Sequence, residues 1–208
     1  MKLIAISDIH GELKALERLF KKLEFTQKDK FIFLGDAIDR GPDSKGVVDF
    51  IINLSKGHKV ITLKGNHESF FLESVEGNKQ MYRAWLMRGG IECLNSYGCL
   101  ADMERIHGDF FKSLGFIHEE ENYIFVHGYV DYEKDVSEQC EEFCLWRSFY
   151  SINPHKSKKT IVCGHTRQFD GVNDKGYKIC LDTGSGFKNG YITAMEVDGN
   201  KIRFIDSK

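Results

Sequence analysis

Proline is scarce in this chain, two among 208 residues, and no repeat, linker or low-complexity stretch divides it. A single domain over residues 1–208 is therefore expected, close to the usual ~100–200 residues of one domain. An excess of either charge is missing too: 29 Lys and Arg stand against 31 Asp and Glu, for a net charge of -2, with no long like-charge block. That excludes a nucleic-acid footprint built on bulk charge. No stretch approaches the ~18 apolar residues of a membrane-spanning helix. The opening MKLIAISDIHG holds an apolar run of only about five residues before Asp8, too short for a signal-peptide core. The six cysteines form no CxxC pair, so reduced thiols in a cytoplasmic protein are expected, and a monomer is compatible with the whole pattern. What the chain holds in quantity is glycine, 20 residues, several of them beside Asp, Asn or His.

Short apolar runs at 3–6, 31–34 and 60–63 read as strands buried on both faces. Between them, Leu13, Leu16, Leu19, Phe20 and Leu23 recur at helical spacing, and Asp43-Ser44 stands as an N-cap ahead of Val47, Val48, Phe50, Ile51 and Leu54. This βαβαβ order predicts a parallel sheet. The region 69–114 reads as mostly helical, strands resume at 123–126 and 160–163, and Asp198-Gly199-Asn200 predicts a hairpin turn between runs at 191–197 and 201–205.

The first three strands each end in a glycine-flanked polar cluster: Ser7-Asp8-Ile9-His10-Gly11, Gly35-Asp36-Ala37-Ile38-Asp39-Arg40-Gly41, and Gly65-Asn66-His67-Glu68. Asp8, Asp36 and Asn66 are 28 and 30 residues apart, about one βα unit of ~30 residues, so equivalent loops fall on one edge of the sheet. The later strands end in Val126-His127-Gly128 and Gly164-His165-Thr166. Asp8, His10, Asp36, Asn66, His127 and His165 together exceed what one tetrahedral ion needs, and they suit two divalent ions bridged by a carboxylate, for which Asp36 is the candidate. Two ions ~3.5–4 Å apart can share a hydroxide and clamp a phosphoryl group.

In this order, SDIHG, GDAIDRG, GNHE, VHG and GHT resemble the metallophosphoesterase superfamily, and within it the phosphoprotein phosphatase branch in its short bacterial and phage form. The resemblance implies a four-layer α/β fold, with a central β-sandwich of mixed sheets flanked by helices, and a dinuclear centre. Manganese is the expected metal, with iron or zinc as alternatives. It implies Asp8, His10 and Asp36 on one ion, and Asp36, Asn66, His127 and His165 on the other. His67 would be the general acid, Asp39 its orienting carboxylate, and Arg40, with Asn66, a phosphate contact. Leu145-Trp146-Arg147 resembles the context of the family's second phosphate-binding arginine, which makes Arg147 the candidate.

Three positions depart from the family pattern. Ser7 replaces a usual glycine, a small-for-small change expected to be neutral. Arg167 follows GHT where proline is common and adds a candidate third cation to the pocket. Tyr129 follows VHG and is expected in the pocket wall. Trp85 and Trp146 are read as core or pocket wall, and His58, His107, His118 and His155 as surface or satisfied positions.

The leading functional expectation is a metal-dependent serine/threonine protein phosphatase, with dual specificity left open. Its substrate would be a phosphorylated protein or peptide, attacked in line by a metal-bridging hydroxide. The alternative is hydrolysis of dinucleoside polyphosphates at the same centre; Gly41-Pro42-Asp43-Ser44 resembles a stretch shared with such enzymes. A metal-binding regulator without turnover is the outlier, because every expected catalytic group is present. The substrate groove is expected to be shaped by 76–115 and 131–159, where the pattern is weakest.

Overall fold

A computed structural model describes residues 1–150 and 153–208. Residues 151 and 152, inside the 131–159 stretch, lie outside the described residues. The first sheet contains β1 (Leu3–Ile6), β2 (Lys30–Phe33) and β3 (Lys59–Thr62), which pair in parallel as the βαβαβ order requires. Their crossovers are α1 (Leu13–Lys22) and α2 (Ser44–Ser55). Asp43 caps α2 by accepting a hydrogen bond from the Gly46 amide at 2.8 Å. At the other edge, β9 (Thr193–Asp198) runs antiparallel to β1 and turns through Gly199 into β10 (Lys201–Asp206).

Between β3 and the second sheet lie α3 (Asn66–Val75), α4 (Lys79–Trp85), a kinked turn (Leu86–Gly90), α5 (Ile91–Tyr97) and α6 (Leu100–Lys112). These helices build their own apolar cluster around Phe71, Trp85, Met103 and Phe111. The second sheet has the order β4 (Ile117–Glu119), β5 (Tyr123–Val126), β6 (Thr160–Cys163), β8 (Lys178–Cys180), β7 (Asn173–Asp174), with β5, β6 and β8 parallel. The helix α7 (Glu141–Trp146) precedes β6, after a short 3-10 turn (Val136–Glu138).

Burial sorts these elements into layers. Ile4, Ile6, Phe31 and Phe33 pack with Leu16, Leu19, Val47 and Ile51, so one face of the first sheet meets α1 and α2. Ala5, Ile32, Phe125, Val162 and Ile179 join the two sheets in one apolar cluster. Ile124, Val126, Ile161 and Cys163 pack with Cys144 of α7 on the outer face of the second sheet. The result is helix, sheet, sheet, helix, the layering expected of alternating side chains on two stacked sheets. Tyr129 belongs to this last core: it is wholly buried with its ring 6.4 Å from Phe149, so the expectation that it lines the pocket is corrected. A tyrosine directly after a strand end can turn inward as readily as toward the cleft, and local sequence does not distinguish the two. None of the cysteines is bridged, and no helix of the described residues is long and apolar enough to cross a membrane.

Candidate functional site

The C-terminal ends of the parallel strands in both sheets converge, and each delivers polar side chains to one buried cluster. The loop after β1 carries Asp8 and His10, and the loop after β2 carries Asp36, Asp39 and Arg40. The first turn of α3 carries Asn66 and His67, while His127 follows β5 and His165 follows β6. Eight non-glycine described residues have positive φ, and six of them are in this set: Asp8, His10, Asp36, Asp39, Arg40 and His165. That region of φ/ψ space is costly for a side chain with Cβ. Its concentration here means that the surrounding contacts hold the loops in a functional geometry.

Asp36 lies at the centre. One carboxylate oxygen is 3.5 Å from His10 Nε2 and the other is 3.4 Å from His127 Nε2. The Asn66 Oδ1 atom lies 2.9 Å from both His127 Nε2 and His165 Nδ1, and Asp8 accepts from the His165 amide at 3.1 Å. Two overlapping groups of ligand-type atoms emerge, Asp8–Asp36–His127 and His10–Asp36–His67, each within 4.8 Å. Their shared member is Asp36, the candidate bridge.

Backbone carbonyls set the imidazole orientations. His10 Nδ1 donates to Ile38 O and His127 Nδ1 to Leu34 O, both at 2.9 Å, so each Nε2 presents its lone pair to the cluster. Burial disfavours every charge here. It holds Asp8 and Asp36 well above the usual carboxylate range, reinforced by Asp182 beside Asp8 and by Asp8 beside Asp36. It holds His10, His127 and His165 below the usual imidazole range, which keeps them neutral as metal ligands must be. Buried, mutually repelling carboxylates and neutral imidazoles with converging lone pairs form a donor set that fits divalent cations.

Beside this cluster, His67 Nδ1 makes a 2.5 Å hydrogen bond to Asp39 Oδ2. Arg40 donates to His10 Nε2 at 2.6 Å and to His67 Nε2 at 3.1 Å, which places the proton of both rings on Nδ1. Burial pushes Asp39 up to about 8 and holds His67 below the usual imidazole range. Both shifts favour the uncharged forms, so a counter-charge is needed before the imidazole carries its second proton.

Several participants escaped the sequence reading. Glu68, the last residue of GNHE, accepts from the amides of Gly65, Asp36 and Ala37, each at 2.8 Å, and so ties the loop after β3 to the loop after β2. Ser7 is not a passive replacement, because its hydroxyl donates to the Asp8 carboxylate. Asp182, two residues beyond β8, is buried close enough to Asp8 to disfavour its ionisation. Trp85, at the end of α4, donates from Nε1 to Asp39 Oδ2 at 2.7 Å. The kinked turn that follows also reaches this loop, since Gly89 O accepts from the Arg40 amide at 3.1 Å. Gly89 has φ +108°, and a Cβ there would lie 2.6 Å from Arg40 N. A glycine pair after a tryptophan was the available signal, but it reads equally well as a helix stop.

Arg147 stands apart from this arrangement. It follows α7, is exposed, and has its guanidinium 5.6 Å from the Phe143 ring centroid. No hydrogen bond or ion pair among the described residues ties its side chain to the cluster. The preceding residue, Trp146, does reach it, with its ring 6.3 Å from His165. A cavity of about 500 Å³ opens on the other side, lined by Arg40, Arg88, Gly89, Gly186 and Phe187. It adjoins the buried cluster and offers space for the body of a substrate. The remaining histidines have structural partners: His107 meets Tyr97 and Asp49, His118 meets Glu120, and His155 meets Ser157 and Lys134 O. His58 lies against the rings of Phe25 and Phe31.

Known proteins share both sequence and fold with this chain. The asymmetrical bis(5'-nucleosyl)-tetraphosphatase of Oceanobacillus iheyensis is 36% identical over 90 residues, 39% of this chain and 36% of that protein. Serine/threonine-protein phosphatase 2 of Escherichia coli is 40% identical over 87 residues, 41% of this chain and 37% of that protein. The matched segments thus span little more than a third of these relatives. In three dimensions, a crystal structure whose protein is provisionally assigned as a diadenosine tetraphosphatase superposes with a TM-score of 0.72 at 22% identity, covering 99% of this chain and 93% of its own. A Saccharomyces cerevisiae protein serine/threonine phosphatase superposes with a TM-score of 0.69 at 18% identity, covering 99% of this chain and 79% of its own. These likenesses establish the fold. The family model for calcineurin-like phosphoesterases matches residues 1–190, nearly the whole chain and every strand end described above, and the chain belongs to that family of phosphoester hydrolases.

Proposed function

We propose that the chain removes the phosphoryl group from phosphoserine and phosphothreonine in protein substrates, using two divalent ions held by Asp8, His10, Asp36, Asn66, His127 and His165. Manganese is the metal we would load first. When bound, the ions would lower the pKa of water and neutralise phosphoryl oxygens. Asp36, with its two oxygens 3.4 and 3.5 Å from imidazoles on opposite sides, is suited to bridge them.

The observation that carries the substrate assignment is the His67–Asp39 pair. A serine or threonine alkoxide is a poor leaving group and must be protonated as it departs, which a positioned acid accelerates typically ~10²–10⁴-fold. The phosphate of a cleaved nucleotide anhydride is far less basic and gains less from an acid. Arg40 forks between His10 and His67. Once its donors turn to phosphoryl oxygens, His67 Nε2 is free to carry the proton that the leaving oxygen takes, while Asp39 balances the imidazolium. Arg147, adjoining Trp146 at the edge of the cluster, is the proposed second phosphate contact, reached by turning from Phe143 toward the centre.

Dinucleoside polyphosphate hydrolysis is the second reading, supported by the Oceanobacillus iheyensis relative and by an arginine after GHT that would suit a polyanion. Parallel assay of the manganese-loaded protein on p-nitrophenyl phosphate, a phosphoserine peptide and diadenosine tetraphosphate separates the two. The peptide is expected to give a kcat/KM at least comparable to the nucleotide. A far higher kcat/KM for diadenosine tetraphosphate would reject the protein-phosphatase reading.

A further inference from the structure

Arg167, which stands where proline is common after GHT, has no role in the chemistry above. Its guanidinium lies 4.7 Å from the centroid of the Phe187 ring, the same ring on which the Arg40 guanidinium rests at 4.5 Å. The two cationic carbons are therefore no farther apart than those two distances together. Arg167 also lies 4.6 Å from the Phe169 ring. Gly184 makes room for it: a Cβ at that position, where φ is +82°, would come within 2.8 Å of Arg167 Nε. Among the described residues, no carboxylate lies within ion-pair distance of either guanidinium. Asp182, buried and with its ionisation disfavoured, is an acidic group whose charge acts on both guanidiniums. With no ion pair among the described residues holding either one, the two cations beside one ring make a place for anions.

The row leads outward from the catalytic cluster. Arg40 is half-buried and touches the site imidazoles, Phe187 is 45% exposed, and Phe169 at the far end is 80% exposed. Nucleobases are usually held in concave pockets that cover most of the ligand; the cavities bordering the row, about 500 Å³ at Arg40 and Phe187 and about 410 Å³ at Arg167 and Phe169, are widely open to solvent and give no such enclosure. An extended peptide lying across the mouth needs none, and its side chains would pass over the aromatic rings.

We propose that Arg167 is a specificity-determining residue that binds an anionic side chain, aspartate, glutamate or a second phosphoserine, flanking the residue whose phosphate sits at Arg40. This rests on the protein-phosphatase reading and names the class of peptide that site prefers. Arg167 acts through charge at a fixed distance from the scissile phosphate, while Phe187 keeps the two guanidiniums apart and oriented.

The test uses phosphoserine peptides that differ only in whether the neighbouring residues are Asp, Ala or Lys. For the full chain loaded with manganese, kcat/KM is expected to be about tenfold higher for the Asp than for the Lys peptide. Arg167→Ala should bring that ratio near one, Arg167→Lys should restore part of it, and Arg167→Glu should invert it in favour of the Lys peptide. An inversion is a readout that loss of local structure does not produce. Anisotropy of the same peptides, fluorescently labelled, on the metal-stripped protein gives the same comparison without turnover. If the wild-type protein cleaves no phosphoester, the hydrolase reading fails, and the anisotropy series still decides the subsite. An Asp to Lys ratio that stays the same in Arg167→Glu overturns the proposal. An Arg167→Glu effect confined to diadenosine tetraphosphate also overturns it and assigns the row to nucleotides.

Discussion

On the loops after β1 and β2, Asp8, His10, Asp36, Asp39 and Arg40 all stand at positive φ, whereas the segment around α4 reaches the same centre from regular helix and a kink in which glycine, Gly89, takes the positive φ. The loops carry candidate metal ligands and the arginine proposed to meet phosphate. The helical segment touches no candidate metal ligand through Trp85 or Gly89; it grips Asp39 and Arg40 from behind, by an indole donor and a backbone carbonyl. Strain is thus placed where the chemistry is, and the restraint that maintains it comes partly from a region with a separate apolar cluster. If this division is right, damage to the loops removes metal and activity together, while damage to the helical segment spares metal and alters proton delivery.

The largest effect is expected at the loops. Asp36→Asn should lower kcat on p-nitrophenyl phosphate by about 10³-fold or more, since in the proposed centre both ions would depend on this carboxylate. His67→Ala should keep the metals and lose ~10²–10⁴-fold on phenyl phosphate, with a much smaller loss on 2,4-dinitrophenyl phosphate, whose leaving group needs no proton. Equal losses on both esters would remove His67 from the acid role. Trp85→Phe deletes one hydrogen bond to Asp39 and keeps most of the ring volume. Partners that orient a functional group typically contribute ~10–100-fold, and the loss should again be steeper for phenyl phosphate. A parallel loss of bound metal in this variant would erase the contrast between the two regions.

The smallest expected effect is on stability against pH. Burial raises the folded-state pKa of Asp8, Asp36 and Asp39, the last to about 8. A carboxylate with a raised pKa contributes stability below its unfolded value, and that contribution is lost as pH rises through the folded value. The depressed imidazoles act oppositely, and their cost falls below the ordinary histidine range. Metal-stripped protein should therefore lose about 4–8 °C in Tm between pH 6.5 and 8.5. Manganese should recover most of that loss. A Tm that rises over this interval without metal would show that burial of these carboxylates is less costly than their environment indicates.

The two regions also differed in how far they could be read from sequence. Asp8, His10, Asp36, Asn66, His127 and His165 were legible because each follows a short apolar run, and the order of strands alone puts such positions at one edge. The parallel β1–β2–β3 unit and the final hairpin were legible for the same reason, being set by local periodicity and turn residues. Trp85 was visible only as an apolar residue. Its contact with Asp39 spans 46 positions, and nothing local marks an indole nitrogen that will meet a buried carboxylate. Glu68 closes a motif whose sequence gives it no role of its own, because its three amide partners come from two different loops. Tyr129 shows the converse, a residue beside a motif that turned into the core.

Counting metal ions tests the shared centre most directly. Calorimetric titration of the metal-stripped protein with manganese, checked by elemental analysis after desalting, should give two ions per chain in the wild type and at most one in Asp36→Asn. One ion in the wild type, or two in Asp36→Asn, would contradict a pair of ions joined through Asp36.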